Sequence, residues 1–156
     1  MAALECIILI GLPAAGKSTF YKDKFAKSHV HISRDLWPNV SGREVRQRKL
    51  LEETLALGKS VAIDNTNPTI AERARIIRTA GEHGARVIGY FFDVTTRAAV
   101  ARNATRTGRS KVPNVAIFTT AKRLQPPKVT EGFDQLFRIE IAEDRSFRIT
   151  RISKYR

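Results

Sequence analysis

An open α/β fold, with a parallel sheet at its core and helices on both faces, is predicted by three features of the sequence. Short apolar segments of about four to eight residues alternate with longer amphipathic ones, as in sheets whose strands are joined by helices. A glycine-rich turn directly follows the first apolar segment. The 156 residues, 42% of them hydrophobic, fit one compact domain spanning residues 1–156.

The apolar runs predict six strands, which are Glu5–Ile10, His29–Ser33, Ser60–Asp64, Arg86–Phe92, Phe137–Ala142 and Ser146–Ile152. The last two are joined by a turn at Glu143 and Asp144 and form a predicted C-terminal strand pair.

Helices are predicted where apolar residues recur at helical spacing. They run from about Gly16 to Lys27, from Arg43 to Leu57, from Pro68 onward, from Thr96 to Asn103 and from Val115 to Leu124. The helix that Pro68 opens is expected to bury one apolar face. That face is Ile70, Ala74, Ile77 and Ala80, with Arg73, Arg75 and Arg78 pointing elsewhere.

The formal net charge of +13 is concentrated in one segment. From Val94 to Thr130 there is no Asp or Glu, while eight lysines and arginines occur there. A field of this sign attracts polyanions and makes nucleic acid the expected partner.

The first apolar run, residues 6–10, lacks a basic leader and stops at Gly11, so we expect neither a signal peptide nor a membrane span. We therefore expect the protein to be cytoplasmic. Cys6, the single cysteine, lies inside this run and is expected to be an inert buried thiol.

Residues 11–18 read Gly-Leu-Pro-Ala-Ala-Gly-Lys-Ser and match the phosphate-binding P-loop pattern G-x-x-x-x-G-K-[ST] in full. The backbone N–H groups would cradle phosphates, Lys17 would reach the β- and γ-phosphates, Ser18 would ligate Mg²⁺ and Thr19 would bond the α-phosphate. The motif predicts a P-loop NTPase or kinase fold. It leaves open whether the γ-phosphate goes to water, a small hydroxyl compound or a polymer.

Two carboxylates follow predicted strands at the sheet edge where open α/β folds bind ligands. Asp35 is placed to accept a proton from an attacking hydroxyl; the alternative is a surface pair with Arg34. Asp64 is placed to hold a metal-bound water; the alternative is a loop brace beside a helix capped by Thr66 or Asn67.

Residues 102–113 are basic, contain Gly108 and predict a mobile lid in which Arg106 neutralises charge on the transferred group. A solvated basic face is the alternative. Trp37 either stacks on a nucleobase or, as we favour, packs against the protein. The three histidines show no metal-ligand spacing.

These motifs, in this order, resemble the polynucleotide 5′-kinase family, which includes the kinase domains of phage and mammalian end-healing enzymes. The matching segments are residues 11–20, His31–Asp35, Ile63–Pro68, Arg102–Asn103 before the basic linker ending at Pro113, Pro126–Pro127 and Glu131–Phe133. The resemblance implies an ATP-dependent kinase acting on 5′-hydroxyl ends of DNA or RNA, with Mg²⁺ as cofactor.

The resemblance also assigns residues to roles. Asp35 is the general base, and Lys17 and Arg106 are the other catalytic residues. The ATP-binding residues are Gly11, Pro13, Ala14, Ala15, Gly16, Lys17, Ser18, Thr19, Arg102, Asn103 and Arg106. Ser18 binds the metal directly and Asp64 binds it through water.

The acceptor site is where this chain departs from the family. An arginine beyond the catalytic aspartate grips the acceptor's 3′-phosphate in the family, but Trp37 and Pro38 stand nearby here. Arg46, or else Arg43, is expected to take that task, with Arg34 beside it. The chain has no Asp-x-Asp pair, so 3′-phosphatase activity is not expected and a separate phosphatase and ligase are expected partners.

Two other functions stay open on the sequence. A small-molecule kinase would use the same loop, base and lid with a different acceptor pocket. A non-catalytic, nucleotide-switched nucleic-acid-binding module would not need Asp35.

Overall fold

The computed structural model describes residues 3–153. Strands and helices alternate along the chain as predicted. The strands are β1 Glu5–Ile10, β2 Val30–Ile32, β3 Val61–Asp64, β4 Arg86–Phe92, β5 Gln135–Ile141 and β6 Phe147–Ile152. The helices are α1 Lys17–Lys24, α2 Arg43–Ala56, α3 Ile70–Glu82, α4 Thr96–Ala104 and α5 Asn114–Arg123. Short 3₁₀ turns span Arg34–Leu36, Gly108–Ser110 and Val129–Glu131.

The six strands form one sheet in the order β2-β3-β1-β4-β5-β6. The first five strands are parallel to their neighbours, and β6 pairs antiparallel with β5. Because β5 also pairs with β4, the predicted C-terminal strand pair extends the main sheet. Parallel strands end at the same edge, so the segments that follow β1, β2 and β3 meet there.

Helices cover both faces of the sheet, as the sequence predicts. On one face Cys6, Ile8 and Ile10 pack with α2 and α3 side chains such as Leu51 and Ile76. On the other face lie Ile7 and Leu9 with side chains from the remaining helices, namely Phe20, Tyr21, Ala99 and Ile117. This alternation fixes β1 at the centre of the domain with both of its faces buried.

The predicted buried face of α3 is confirmed at Ala80 and in part at Ile77, which packs against the core, but it is wrong at Ile70, Ala74 and Arg73. Arg73 is fully buried, together with Ile76 and Ala80, whereas Ile70 is 37% exposed and Ala74 is exposed. The predicted stripe differs from the observed buried face by about one residue of helical rotation. The difference arises because the prediction placed every arginine of the helix on the exterior. Each nitrogen of the buried guanidinium donates a hydrogen bond, which offsets the cost of its burial.

No helix within residues 3–153 is both long enough and apolar enough to cross a membrane. Cys6 is fully buried in β1, and that burial raises the pKa of its thiol to about 12. The thiol is therefore protonated at neutral pH and chemically inert, as expected.

Candidate active site

The P-loop, residues 11–18, joins β1 to α1 and begins the site. Gly16 has φ of 99°, a left-handed conformation that favours glycine, and a Cβ there would lie 3.3 Å from the Phe147 ring. Arg102 approaches the loop from α4 and donates from Nε to the Ala14 carbonyl oxygen at 2.8 Å. The loop is thereby held between the sheet edge and the predicted lid.

Lys17, the first residue of α1, is only 8% exposed. Its Nζ donates to the carbonyl oxygens of Gly11, at 2.9 Å, and Leu12, at 2.6 Å. Burial and the positive charge of Arg106 lower the Lys17 pKa to about 8, although the carboxylates of Asp64 and Asp35 oppose the shift. The Lys17 ammonium therefore lies within electrostatic reach of both candidate carboxylates and of the candidate lid arginine.

Asp64 ends β3 and is 4% exposed. Its Oδ2 accepts hydrogen bonds from the Ser18 hydroxyl and from His31 Nε2, each at 2.8 Å. Burial acts to raise the Asp64 pKa, but these hydrogen bonds and the charge of Lys17 overcome it and hold the pKa below its usual value. An ionised carboxylate thus touches the P-loop serine, and both supply the hard oxygen atoms that Mg²⁺ prefers.

Asp35 lies in the 3₁₀ turn Arg34–Leu36 and is exposed to the cleft. Its backbone N–H donates to the Ser33 hydroxyl at 3.2 Å, which caps the turn. The Asp35 carboxylate has no hydrogen bond or ion pair with any residue between 3 and 153. Arg34, the neighbour considered as its surface partner, donates instead to Gln47 Oε1 at 3.3 Å.

Two amides that the sequence analysis missed hold this turn in place. Asn65 Oδ1 accepts from the Arg34 backbone N–H at 2.9 Å, and Asn65 Nδ2 donates to Gln47 Oε1 at 2.7 Å. Gln47 is 5% exposed on α2. A glutamine at a buried helical position, one turn before Leu51, is the signal that would have identified it.

The segment between β3 and α3 fastens the P-loop to its neighbour strand. Asn67, with φ of 45°, donates from Nδ2 to the Leu9 carbonyl oxygen at 2.7 Å, and Gly11 N–H donates to the Thr66 carbonyl oxygen at 3.0 Å. Neither residue caps α3, contrary to the alternative considered above. Thr69 is the cap, because its hydroxyl accepts from Glu72 N–H at 3.1 Å.

The lid segment joins α4 to α5. Arg106 and Arg109 line the cleft, and Arg106 Nη1 donates to the Ser110 carbonyl oxygen at 3.0 Å. Asn103, expected at the nucleotide, is 1% exposed and exchanges hydrogen bonds with the backbone of Val112 at 2.6 and 3.0 Å. In this structure its amide closes the base of the lid rather than facing the cleft.

The three candidate acceptor residues separate into two groups. Arg34 and Arg43 line the cleft, and Arg43 Nη1 donates to the Arg34 carbonyl oxygen at 3.4 Å. Arg46 is not among the cleft-lining residues; its guanidinium lies over the Trp37 ring, 5.0 Å from the ring centre. Trp37 packs against the core beside α2, as favoured above.

The cleft that these segments enclose has a volume of about 1300 Å³. Among the described residues its walls carry ten lysines and arginines against six aspartates and glutamates. Three of those acids already have partners: Glu44 pairs with Arg75, Glu72 pairs with Arg123, and Asp64 accepts from Ser18 and His31. The remaining field is positive and suits a ligand that carries several phosphates.

Comparison with known proteins places these features in a family. Residues 6–127 match the family described as AAA domain. The chain is 30% identical over 133 residues to the bifunctional polynucleotide phosphatase/kinase of Schizosaccharomyces pombe, covering 83% of this chain and 32% of that protein. It is 31% identical over 152 residues to the putative bifunctional polynucleotide phosphatase/kinase of Acanthamoeba polyphaga mimivirus, covering 91% of this chain and 34% of that protein.

The chain thus spans about one third of the length of these two relatives. Among solved structures, a gluconokinase from Sinorhizobium meliloti 1021 shares the fold with a TM-score of 0.65 at 16% identity, covering 92% of this chain and 86% of that one. The resemblance to polynucleotide kinases and the predicted fold class are both confirmed. The chain belongs to the AAA domain family and has the fold of P-loop kinases.

Proposed function

We propose that this protein transfers the γ-phosphoryl group of ATP to the 5′-hydroxyl end of DNA or RNA, with Mg²⁺ as cofactor. The observation that carries the proposal is the position of Asp35. Its carboxylate, unpaired among residues 3–153, lines the same cleft as Lys17 and lies next to arginines that could hold an acceptor phosphate, Arg34 and Arg43. A kinase that phosphorylates a hydroxyl needs a carboxylate in this place.

In the proposed reaction the acceptor's hydroxyl oxygen forms a bond to the γ-phosphorus while the bond from that phosphorus to the β–γ bridging oxygen breaks. ADP leaves with the electron pair, and the hydroxyl proton passes to Asp35. Lys17 exchanges its two carbonyl partners in the P-loop for β- and γ-phosphate oxygens. Arg106 neutralises charge that develops on the transferred group.

The residues beside the P-loop fit a magnesium ion. Ser18 would bind it directly, and Asp64, ionised and in contact with the Ser18 hydroxyl, would hold one of its waters. Bound there, Mg²⁺ would neutralise phosphate charge. Residues 3–153 contain no cluster of three or more His, Cys, Asp or Glu side chains suited to a metal.

A polynucleotide is favoured as acceptor by the charge of the protein. Arg43 and Arg48 line the cleft on α2 and have no acidic partner within the described chain. Each phosphate that such a residue neutralises adds salt-dependent affinity that a neutral alcohol does not supply. The names of the two relatives support the same acceptor class. The 156 residues hold no Asp-x-Asp pair, so phosphatase and ligase steps would be supplied from outside them.

A panel of acceptors tests this function. The protein is incubated with γ-labelled ATP, Mg²⁺ and 5′-hydroxyl DNA, 5′-hydroxyl RNA, nucleosides or small sugars, and the labelled product is identified. Label on oligonucleotide 5′ ends supports the proposal. Label on a sugar alone would favour the small-molecule kinase, which the fold match to a gluconokinase keeps as second candidate. Label on no acceptor would favour a non-catalytic nucleotide-binding module.

ATP binding is expected to take up a proton through Lys17 at alkaline pH. Free Lys17 has its pKa lowered to about 8, and triphosphate oxygens beside the ammonium will raise it. As the pH rises from the free to the bound pKa of Lys17, the affinity for ATP should therefore fall by up to about tenfold per pH unit. Calorimetry at pH of about 8.5 in two buffers with different ionisation enthalpies measures the proton uptake.

The matched control for this uptake is Lys17→Arg, because a guanidinium stays charged across the whole range. Its ATP binding should show no buffer-dependent heat from residue 17. Equal proton uptake in both proteins would assign the proton to another group.

Arg106→Ala is expected to lower turnover by about tenfold or more, because a charge contact to the transferred group is lost. Stability should stay near wild type, since the Arg106 side chain bonds only to the Ser110 carbonyl oxygen among the described residues. Arg97→Ala, an equal charge change at an exposed position of α4, is the control. Unchanged turnover in Arg106→Ala would contradict this role and favour the alternative, in which Arg106 belongs to a solvated basic face.

A further inference from the structure

A second, smaller groove lies on the opposite side of α2 from the cleft. It has a volume of about 660 Å³. We name it the Trp37 groove after the ring that lines it, and its other lining residues are Gly42, Val45, Arg46, Lys49, Leu50 and Glu53. None of its residues takes part in the reaction proposed above.

Beside the start of α2, the Trp37 groove and the cleft meet at one short loop. Pro38 and Asn39 line the cleft, whereas Trp37 and Gly42, at the two ends of the loop, line the groove. Trp37 follows the candidate base Asp35 by two residues. A flexible polymer whose end reacts at Asp35 can therefore continue over this loop into the groove.

The surface of the groove combines an aromatic ring, cations and exposed apolar side chains. The Arg46 guanidinium lies over the half-buried Trp37 ring. Within residues 3–153 neither Arg46 nor Lys49 has an acidic partner. Val45 in the groove and Leu36 and Val40 near it are 60%, 52% and 40% exposed. Such an aromatic and guanidinium platform, flanked by cations, suits single-stranded nucleic acid, whose bases stack on it while its phosphates meet the positive charges.

We infer that the Trp37 groove binds the single-stranded nucleotides that follow the reacting 5′ end of the acceptor. A base stacks on the Trp37–Arg46 pair, and Lys49 attracts the adjoining phosphates. The inference rests on the proposed function and extends it from the terminal nucleotide to the strand behind it. It also gives Arg46 a role in acceptor binding at a place outside the cleft.

Fluorescence tests the groove without catalysis, because Trp37 is the only tryptophan among the 156 residues. A 5′-hydroxyl DNA strand of about ten nucleotides is titrated into the protein in the absence of ATP. We expect the emission of Trp37 to be quenched as a base stacks at the Trp37–Arg46 pair. Arg46→Ala should weaken this binding by about tenfold, the scale of one lost base stack.

Arg86→Ala is the matched control, since it removes an equal charge from an exposed residue at the opposite end of the sheet. The affinity of Arg86→Ala for the strand should stay within about twofold of wild type, because this variant loses only one charge's share of the general salt-dependent attraction. Quenching that Arg46→Ala and Arg86→Ala weaken equally would overturn the inference, as would binding of the strand without any change in Trp37 emission.

Steady-state kinetics separate this inference from the proposed function. With a nucleoside 3′-monophosphate, which is too short to reach the groove, and the ten-nucleotide strand as alternative acceptors, wild type should show the lower KM for the strand. In Arg46→Ala the strand should lose that advantage. If Arg46→Ala phosphorylates both acceptors and keeps the lower KM for the strand, the groove is rejected and the proposed function stands. Quenching without phosphorylation of either would keep the groove as a binding site and reject the function.

Discussion

Asp35→Asn is expected to lower the single-turnover rate of 5′-phosphorylation by about 100-fold or more, the scale of removing a general base. Asparagine keeps the size of the side chain and removes the proton acceptor. The backbone bonds that hold the turn, from Asp35 N–H to Ser33 and from Arg34 N–H to Asn65, do not involve the exchanged group. ATP affinity and thermal stability should therefore remain near wild type. Rapid-quench transfer and equilibrium ATP binding are measured on the same preparations.

Asp23→Asn is the control, because Asp23 is exposed on α1 and does not line the cleft. It should transfer phosphate at the wild-type rate. A normal rate in Asp35→Asn would eliminate this carboxylate as the base. A large loss of ATP affinity in that variant would move Asp35 to the metal site instead.

The strands that build the site were the most predictable part of the fold. β1 and β4 were predicted to the residue because each is an apolar run that begins at a charged residue and is followed directly by Gly11 or Asp93. The P-loop pattern fixed the place of Lys17 and Ser18, since its spacing is dictated by the phosphate cradle. Asp35 and Asp64 followed from the rule that parallel strands deliver their next residues to one edge.

The side of α2 on which an arginine lies was not predictable to the same degree. The buried residues of this helix are Gln47, Leu51, Thr54 and Leu55. The helical phase that buries them turns Arg46 toward Trp37 and places Arg43 and Arg48 on the cleft side. Polar core residues such as Gln47 set the phase, and their partners, here Arg34 and Asn65, come from distant parts of the chain.

Arg73 shows the same limit more strongly. Its Nε and Nη2 donate to both carboxylate oxygens of Glu131, at 2.9 and 3.1 Å, and its Nη1 and Nη2 donate to the carbonyl oxygens of Asn67 and Gln125, each at 2.9 Å. No local pattern announces such a contact, since Glu131 lies 58 residues away in sequence. The buried guanidinium connects Asn67, in the segment between β3 and α3, with Gln125 and Glu131, which follow α5.

Arg73→Ala is expected to lower the free energy of unfolding by about 3–5 kcal/mol, because it leaves the Glu131 carboxylate, 5% exposed, without its counter-charge. Arg75→Ala is the control on the same helix: its ion pair with Glu44 is more than half exposed on both sides and should contribute less than about 1 kcal/mol. Urea unfolding measures both. Arg73→Lys should recover only part of the loss, since one ammonium cannot reproduce the paired bonds of a guanidinium to Glu131 while also reaching two carbonyl oxygens. Equal stability of the Arg73→Ala and Arg75→Ala proteins would mean that the buried pair contributes no more than a surface one, and that the P-loop fastening does not depend on it.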